Sequence, residues 1–124
     1  MLKRGFKQML AEANARVETV SVVDLPYLLD DEDTLLVDVR ETIERELDGQ
    51  IPGSVHVSRG LLEFHADPES PFYDAALSPE KRVIAYCGTG DRSALAANTL
   101  LDMGYQDVAS LAGGYAAWRA AQTN

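Results

Sequence analysis

The run Arg82-Val83-Ile84-Ala85-Tyr86, stopped by Gly88-Thr89-Gly90 and followed by a helical pattern over 92–103, constrains the fold more than any other part of the chain. So short an apolar run reads as a strand buried on both faces, the kind that parallel sheets contain. A parallel neighbour is reached only through a crossover, and helical segments lie between the strand-like runs. Thr34 to Val39 is a second such run and Val55-His56-Val57 a third, while Glu18 to Val23 reads as a short strand entering a turn and Asp107 to Leu111 as the last strand. Helical patterns are predicted over 24–29, where Pro26 is tolerable in the first turn, over 41–47 with Asp48-Gly49 as the stop, and over 59–66. One or two helical turns are expected at 72–77, then a helix over 92–103 ended by Gly104, and a closing helix over 115–121. The acidic stretch 30–33, the turns at Pro52-Gly53 and Gly113-Gly114, and the loop 67–71 punctuate them. This alternation predicts an α/β fold, a mostly parallel central sheet flanked by helices on both faces.

Ahead of that unit, Phe6, Met9, Leu10, Ala13 and Val17 recur at helical spacing. Residues 1–17 therefore read as an amphipathic leading helix and 18–124 as the domain proper. A chain of 124 residues has room for one core, since two would each be too small. With 46% hydrophobic and 25% charged residues, that core is expected to be stable without staples.

Charge narrows the partners. Eleven basic and 20 acidic residues give a formal net charge of −9, which repels phosphate backbones and anionic headgroups. No nucleic-acid and no membrane partner is expected. The balance is uneven, with Lys3, Arg4, Lys7 and Arg16 gathered in the leading segment against Glu12 and Glu18. No segment reaches the ~18 apolar residues of a bilayer span, and Lys7, Gln8 and Glu12 interrupt any signal-peptide core. The one cysteine, Cys87, cannot form an internal disulfide, and no Cys/His cluster has metal-ligand spacing. We expect no metal, no other cofactor and a reducing, cytoplasmic setting.

Ligands of open α/β sheets bind beyond the carboxyl ends of strands, and Cys87 lies at such a place. The segment Cys87-Gly88-Thr89-Gly90-Asp91-Arg92-Ser93 joins the strand to the helix. Its two glycines permit positive φ angles, which let successive amides converge into an anion-binding nest. The helix N-terminus adds further free N–H groups, and such a field favours a thiolate. Arg92 brings a permanent guanidinium suited to an anionic substrate. A lone cysteine is often only a small buried apolar side chain. The glycines, the arginine and the strand–loop–helix setting together favour the reactive reading, a nucleophile that attacks and then holds an anionic group.

These residues also resemble a known family. Cys87 to Ser93 is similar to the active-site loop of single-domain rhodaneses, Cys-x-x-Gly-x-Arg-Ser. Asp38-Val39-Arg40-Glu41 with Glu44, Gly49-Gln50-Ile51-Pro52-Gly53-Ser54, Arg59-Gly60-Leu61-Leu62-Glu63-Phe64 and Leu111-Ala112-Gly113-Gly114-Tyr115-Ala116-Ala117-Trp118 resemble further family blocks, in family order. Gln50 stands where many relatives have histidine. The resemblance implies a rhodanese-like fold and a thiosulfate-type sulfurtransferase. Cys87 would take sulfur from a small anionic donor as a persulfide and pass it to a thiol, to cyanide or to a protein acceptor. The amides from Gly88 to Arg92 would cradle the outer sulfur, Thr89 adding a hydroxyl and Arg92 steadying a sulfonate. Asp91 places a negative charge in this anion-binding loop, where it either disfavours thiosulfate or caps the helix expected to begin at Arg92.

Around the loop, Asp38 and Arg40 are candidate pocket residues whose simpler role is a structural network with Glu44. Arg59 either reaches the pocket or packs on the surface. His56, His65 and Tyr86 read as structural, and Trp118 as core. Two other functions stay open: a sulfur-carrying or binding module without turnover, and a phosphatase-like hydrolase. Related folds use a Cys-x5-Arg loop for phosphate chemistry, whereas Cys87 to Arg92 is one residue shorter and better sized for one sulfur atom.

Overall fold

Along β4 (Arg82–Tyr86) and into Cys87, side chains alternate between two apolar clusters, Val83, Ala85 and Cys87 in one, Ile84 and Tyr86 in the other. This period of two marks a strand covered on both faces. The computed structural model describes residues 1–122; the last two residues of the expected domain lie outside the described residues. β1 (Glu18–Val20), β2 (Thr34–Asp38), β3 (Val55–His56) and β5 (Val108–Leu111) join β4 in one sheet of order β1-β5-β4-β2-β3, and every pairing is parallel. The strand with the strongest sequence pattern is thus the central one.

Helices α1 (Phe6–Arg16), α2 (Leu25–Leu29), α3 (Thr42–Asp48), α4 (Leu62–Ala66), α5 (Asp91–Met103) and α6 (Gly114–Ala121) fill the connections. Leu62 and Ala66 of α4 and Ala96, Ala97 and Leu100 of α5 cover one face of the sheet with Val37, Val83 and Val108. Leu25 of α2 and Tyr115 and Trp118 of α6 cover the other with Leu36, Ile84 and Leu111. Among the described residues, no helix is long and apolar enough to cross a membrane.

Several expectations need correction. Residues 72–77 form no helix: Asp74 Oδ1 accepts the Ala76 amide at 2.9 Å, the Asp74 amide donates to His65 O at 3.0 Å, and the Tyr73 hydroxyl donates to Leu77 O. Those local bonds take up the groups a helix would use. Residues 59–61 form a 3-10 turn ahead of α4 rather than its first turn. In α1, Ala13 is fully buried, yet Phe6 and Met9 of the expected inward stripe are exposed. Only the later part of α1 is covered, where Arg16 bonds Asn98 and Asp102 of α5.

Candidate active site

Cys87 leaves the carboxyl end of β4 and points into the core side of the turn, 1% exposed. Its sulfur accepts the Gly90 amide at 3.1 Å and the Ser93 amide at 3.4 Å, while the thiol lies 3.5 Å from Ser93 Oγ. Ser93 Oγ donates to Gly90 O at 3.1 Å. A hydroxyl has one proton, so Ser110 Oγ, 2.8 Å away, is the donor to Ser93 and the thiol donates to the remaining lone pair. Cys87 thus packs with Val83 and Ala85 in the apolar layer while its sulfur takes two backbone amides and faces the Ser93 hydroxyl.

The glycines differ in what they do. Gly90 has φ +120° and N-caps α5, so Asp91 occupies the first helical position and the helix starts one residue earlier than expected. Asp91 makes no side-chain cap; it is exposed beside the positive end of the helix dipole. Gly88 does not need a positive φ. A Cβ there would meet Arg92 Nη2 at 3.3 Å, so Gly88 leaves room for the guanidinium. Thr89 is exposed and its hydroxyl makes no hydrogen bond among the described residues. The amides of Gly88 and Thr89 have no acceptor there either, and those of Asp91 and Arg92 belong to a first helical turn that leaves its N–H groups free.

Gly113 and Gly114, expected only as a turn, fix the other side of the loop. Both take positive φ, +72° and +59°, and let α6 start directly against it. The Tyr115 amide donates to Cys87 O at 2.8 Å and the Ala116 amide to Gly88 O at 3.1 Å. With those carbonyls held by α6, the loop is fixed from a second helix.

Arg92 is bidentate to Glu44 of α3, Nη1 to Oε2 at 2.7 Å and Nη2 to Oε1 at 2.8 Å. Glu44 Oε2 also accepts the Glu41 amide at 2.8 Å, within a reciprocal capping box at the start of α3. The Arg92 hydrogen bonds hold the Glu44 carboxyl down at about 2, and Glu44 in turn raises Arg92. Sequence reasoning placed Glu44 in one network with Asp38 and Arg40; its direct bonds go to Arg92 and the Glu41 amide instead, and Arg40 reaches it only through its field. The only hint was the Glu41-x-x-Glu44 spacing of a capping box.

Asp38 and Arg40 form their own buried cluster. Arg40 Nε and Nη2 reach Asp38 at 3.0 and 2.9 Å, Arg45 Nη1 adds a bond at 2.9 Å, and the Tyr86 hydroxyl donates to Asp38 at 3.0 Å. Burial pushes the Asp38 carboxyl up, but the guanidinium and amide bonds overcome it and hold it below its usual range. Arg40 also donates to Gly49 O at 2.7 Å and lies over the Tyr115 ring, 4.4 Å from its centroid. This cluster ties β2, β4, α3 and α6 together beneath the loop and leaves neither charge facing a substrate. Arg59 bonds Glu63 and Thr99, both at 3.0 Å; Thr99 lies two turns along α5 from the loop, so this guanidinium is not directed at Cys87. His56 Nε2 donates to Arg40 O at 2.7 Å and His65 Nδ1 to Phe72 O at 2.9 Å, both in structural positions.

The profile of the rhodanese-like domain matches residues 21–121, which include the loop, both carboxyl-end clusters and the start of α6. The chain belongs to the rhodanese-like domain family. Among solved structures, a Rhodopseudomonas palustris protein of unknown function, described as a possible tyrosine phosphatase, is 45% identical, with a TM-score of 0.91 over 98% of this chain and 93% of its own. The human single-domain sulfurtransferase TSTD1 is 26% identical, with a TM-score of 0.75 over 86% of this chain and 99% of its own. The mouse thiosulfate sulfurtransferase/rhodanese-like domain-containing protein 3 is 31% identical over 80% of this chain and 66% of its own length. This rhodanese-like chain thus spans just under two thirds of that curated relative, and 30% of the Staphylococcus aureus tRNA uridine(34) hydroxylases that it also matches.

Proposed function

We propose that this rhodanese-like domain is a sulfurtransferase that carries a sulfane sulfur on Cys87. The observation behind the reading is the Cys87 sulfur seated under the Gly90 and Ser93 amides, with free amides at Gly88 and Thr89 around it. In the first half-reaction the Cys87 thiolate attacks the outer sulfur of a thiosulfate-type donor. A sulfur–sulfur bond forms as the donor's breaks, and the electron pair departs with sulfite, leaving a Cys87 persulfide anion. The loop amides stabilise that terminal charge, preorganised before it forms. A thiophilic acceptor (cyanide in an assay, a thiol or protein in a cytoplasmic setting) then attacks the terminal sulfur and releases the Cys87 thiolate. Two displacements replace one difficult transfer.

A phosphatase reading is favoured by the Rhodopseudomonas relative, described as a possible tyrosine phosphatase. Against it stand the four-residue spacing between Cys87 and Arg92 and the bidentate hold of Glu44 on the guanidinium that would clamp a phosphoryl group. The test is thiosulfate:cyanide sulfur transfer against aryl-phosphate hydrolysis on the same preparation. Faster sulfur transfer is expected. Faster phosphate hydrolysis would reverse the choice, and loading of Cys87 without turnover on any acceptor would favour a sulfur carrier.

A further inference from the structure

Ser110 is a hydroxyl where the buried strand pattern calls for an apolar side chain. It is 3% exposed in β5, on the face that Val108 shares with Val83, Ala85 and Cys87. A buried hydroxyl costs free energy unless it is bonded. Among the described residues its side chain has one partner, Ser93 Oγ at 2.8 Å, so its proton goes to the hydroxyl beside the Cys87 sulfur.

Resting on the sulfur-transfer reading, we propose that Ser110 is a positioning residue for sulfur release, which orients and polarises the Ser93 hydroxyl so that its proton meets the charge returning to Cys87 Sγ. In the thiol state Ser93 Oγ donates to Gly90 O at 3.1 Å and accepts from the thiol across 3.5 Å. Ionised sulfur has no proton to give, and the Ser93 hydroxyl is then free to turn from Gly90 O to Sγ. Gly90 O is not left bare, because the Ala94 amide also donates to it at 3.0 Å. Ser110 closes the remaining direction: with its own proton on Ser93 Oγ, it leaves no lone pair facing the Ser93 proton. The same donation strengthens the bond that Ser93 makes, since hydroxyls in a chain polarise one another. The thiolate then holds three donors, the Gly90 and Ser93 amides and the Ser93 hydroxyl.

The two half-reactions use this donor unequally. When cyanide discharges the persulfide, its carbon lone pair bonds to the terminal sulfur, the sulfur–sulfur bond breaks, and the electron pair returns to Sγ as thiolate. Charge grows on the sulfur that Ser93 faces, so a hydroxyl donor there lowers the barrier. In loading, the Cys87 thiolate spends its charge on the new bond, and the same donor gives no help.

The experiment uses the full chain as wild type, Ser110→Ala, Ser93→Ala and the double variant. Loading from thiosulfate or a thiol persulfide and discharge to cyanide are followed in separate single turnovers, at a pH where Cys87 is fully ionised. Ser110→Ala is expected to discharge about threefold to fivefold more slowly, with loading not slowed. Ser93→Ala should discharge about tenfold more slowly, and the double variant no more slowly than that, because Ser110 acts only through Ser93. A merely structural Ser110 would slow both half-reactions alike, or add its loss to that of Ser93→Ala. Either result, or an unchanged Ser110→Ala, overturns the proposal. Thermal melting shows whether the variants fold. If Ser110→Ala does not, Ser110→Thr and Ser110→Val decide, a pair that exchanges the hydroxyl for a methyl. The Val protein should discharge more slowly than the Thr protein and load as fast, and equal discharge would reject the inference. If neither donor loads wild-type Cys87, the sulfur-transfer reading itself fails, and the inference with it.

Discussion

Gly114→Ala is the substitution that tests most sharply how α6 holds the Cys87 loop. A Cβ at Gly114 would lie 2.5 Å from Cys87 O and 2.8 Å from Gly88 C and O, all backbone atoms with no freedom to turn aside. The residue also has φ +59°, which costs an L side chain about 1–2 kcal/mol. Relief of the overlap requires α6 and the loop to part, weakening the Tyr115 and Ala116 amide bonds at 2.8 and 3.1 Å, each worth about 1 kcal/mol. The expected loss of stability is about 3–4 kcal/mol, a fall in Tm of about 10–15 °C for a chain of this size. Displacing Cys87 by a fraction of an ångström to 1 Å should lower kcat for sulfur transfer about 100-fold. Gly104→Ala is the control: φ is +112° at the far end of α5, and nothing lies within 4 Å of the added Cβ. It should lower Tm by a few degrees and leave kcat alone. The assay is thermal melting with thiosulfate:cyanide kinetics, measured below both melting points. A Gly114→Ala protein with wild-type kcat, or a Gly104→Ala protein equally impaired, would refute the reasoning.

Asp91→Asn should raise kcat/KM for thiosulfate about two- to threefold, more at low ionic strength, because an exposed charge at about 7 Å repels a dianion by roughly 1 kcal/mol before screening. Equal ratios at two salt concentrations would show that the carboxylate acts only on the helix. Glu44 sits at about 2 in the folded chain against an ordinary 4.5, so its ion pair with Arg92 stabilises above pH 4.5 and loses that contribution as the pH falls toward 2. Because Arg92 is 41% exposed, the contribution is discounted for solvent to about 1 kcal/mol. Urea unfolding should therefore show wild type and Glu44→Gln converging as acid is added; a gap that stays constant down to pH 2.5 contradicts the pairing.

The sheet was largely legible in the sequence because a strand buried on both faces is apolar along nearly all its length, as 83–86 and 35–37 are. The place of Cys87 followed from the same rule, since a ligand site lies where such a strand ends. What stayed hidden depends on distant parts of the chain. Glu44 and Arg92 are 48 residues apart, and nothing local distinguishes a glutamate that caps its own helix from one that also clamps another. Ser110 reads as an ordinary residue of a buried strand until its 2.8 Å contact with Ser93 is known. The glycines were recognised but not all of their tasks: Gly90 takes the expected positive φ, Gly88 instead leaves space for a guanidinium, and Gly114, read only as part of a turn, allows a close backbone approach. Residues 72–77 were misread because apolar spacing does not reveal side-chain bonds such as that of Asp74.

The central claim is that Cys87 carries the transferred sulfur, and intact mass spectrometry tests it most directly. The protein is incubated with thiosulfate, or with a thiol persulfide, desalted and weighed, and Cys87→Ser is treated alongside. The account predicts a gain of one sulfur atom in the wild type, mapped to the peptide containing its only cysteine, lost on adding cyanide and absent from the Ser variant. No gain from either donor, or the same gain in Cys87→Ser, would contradict it.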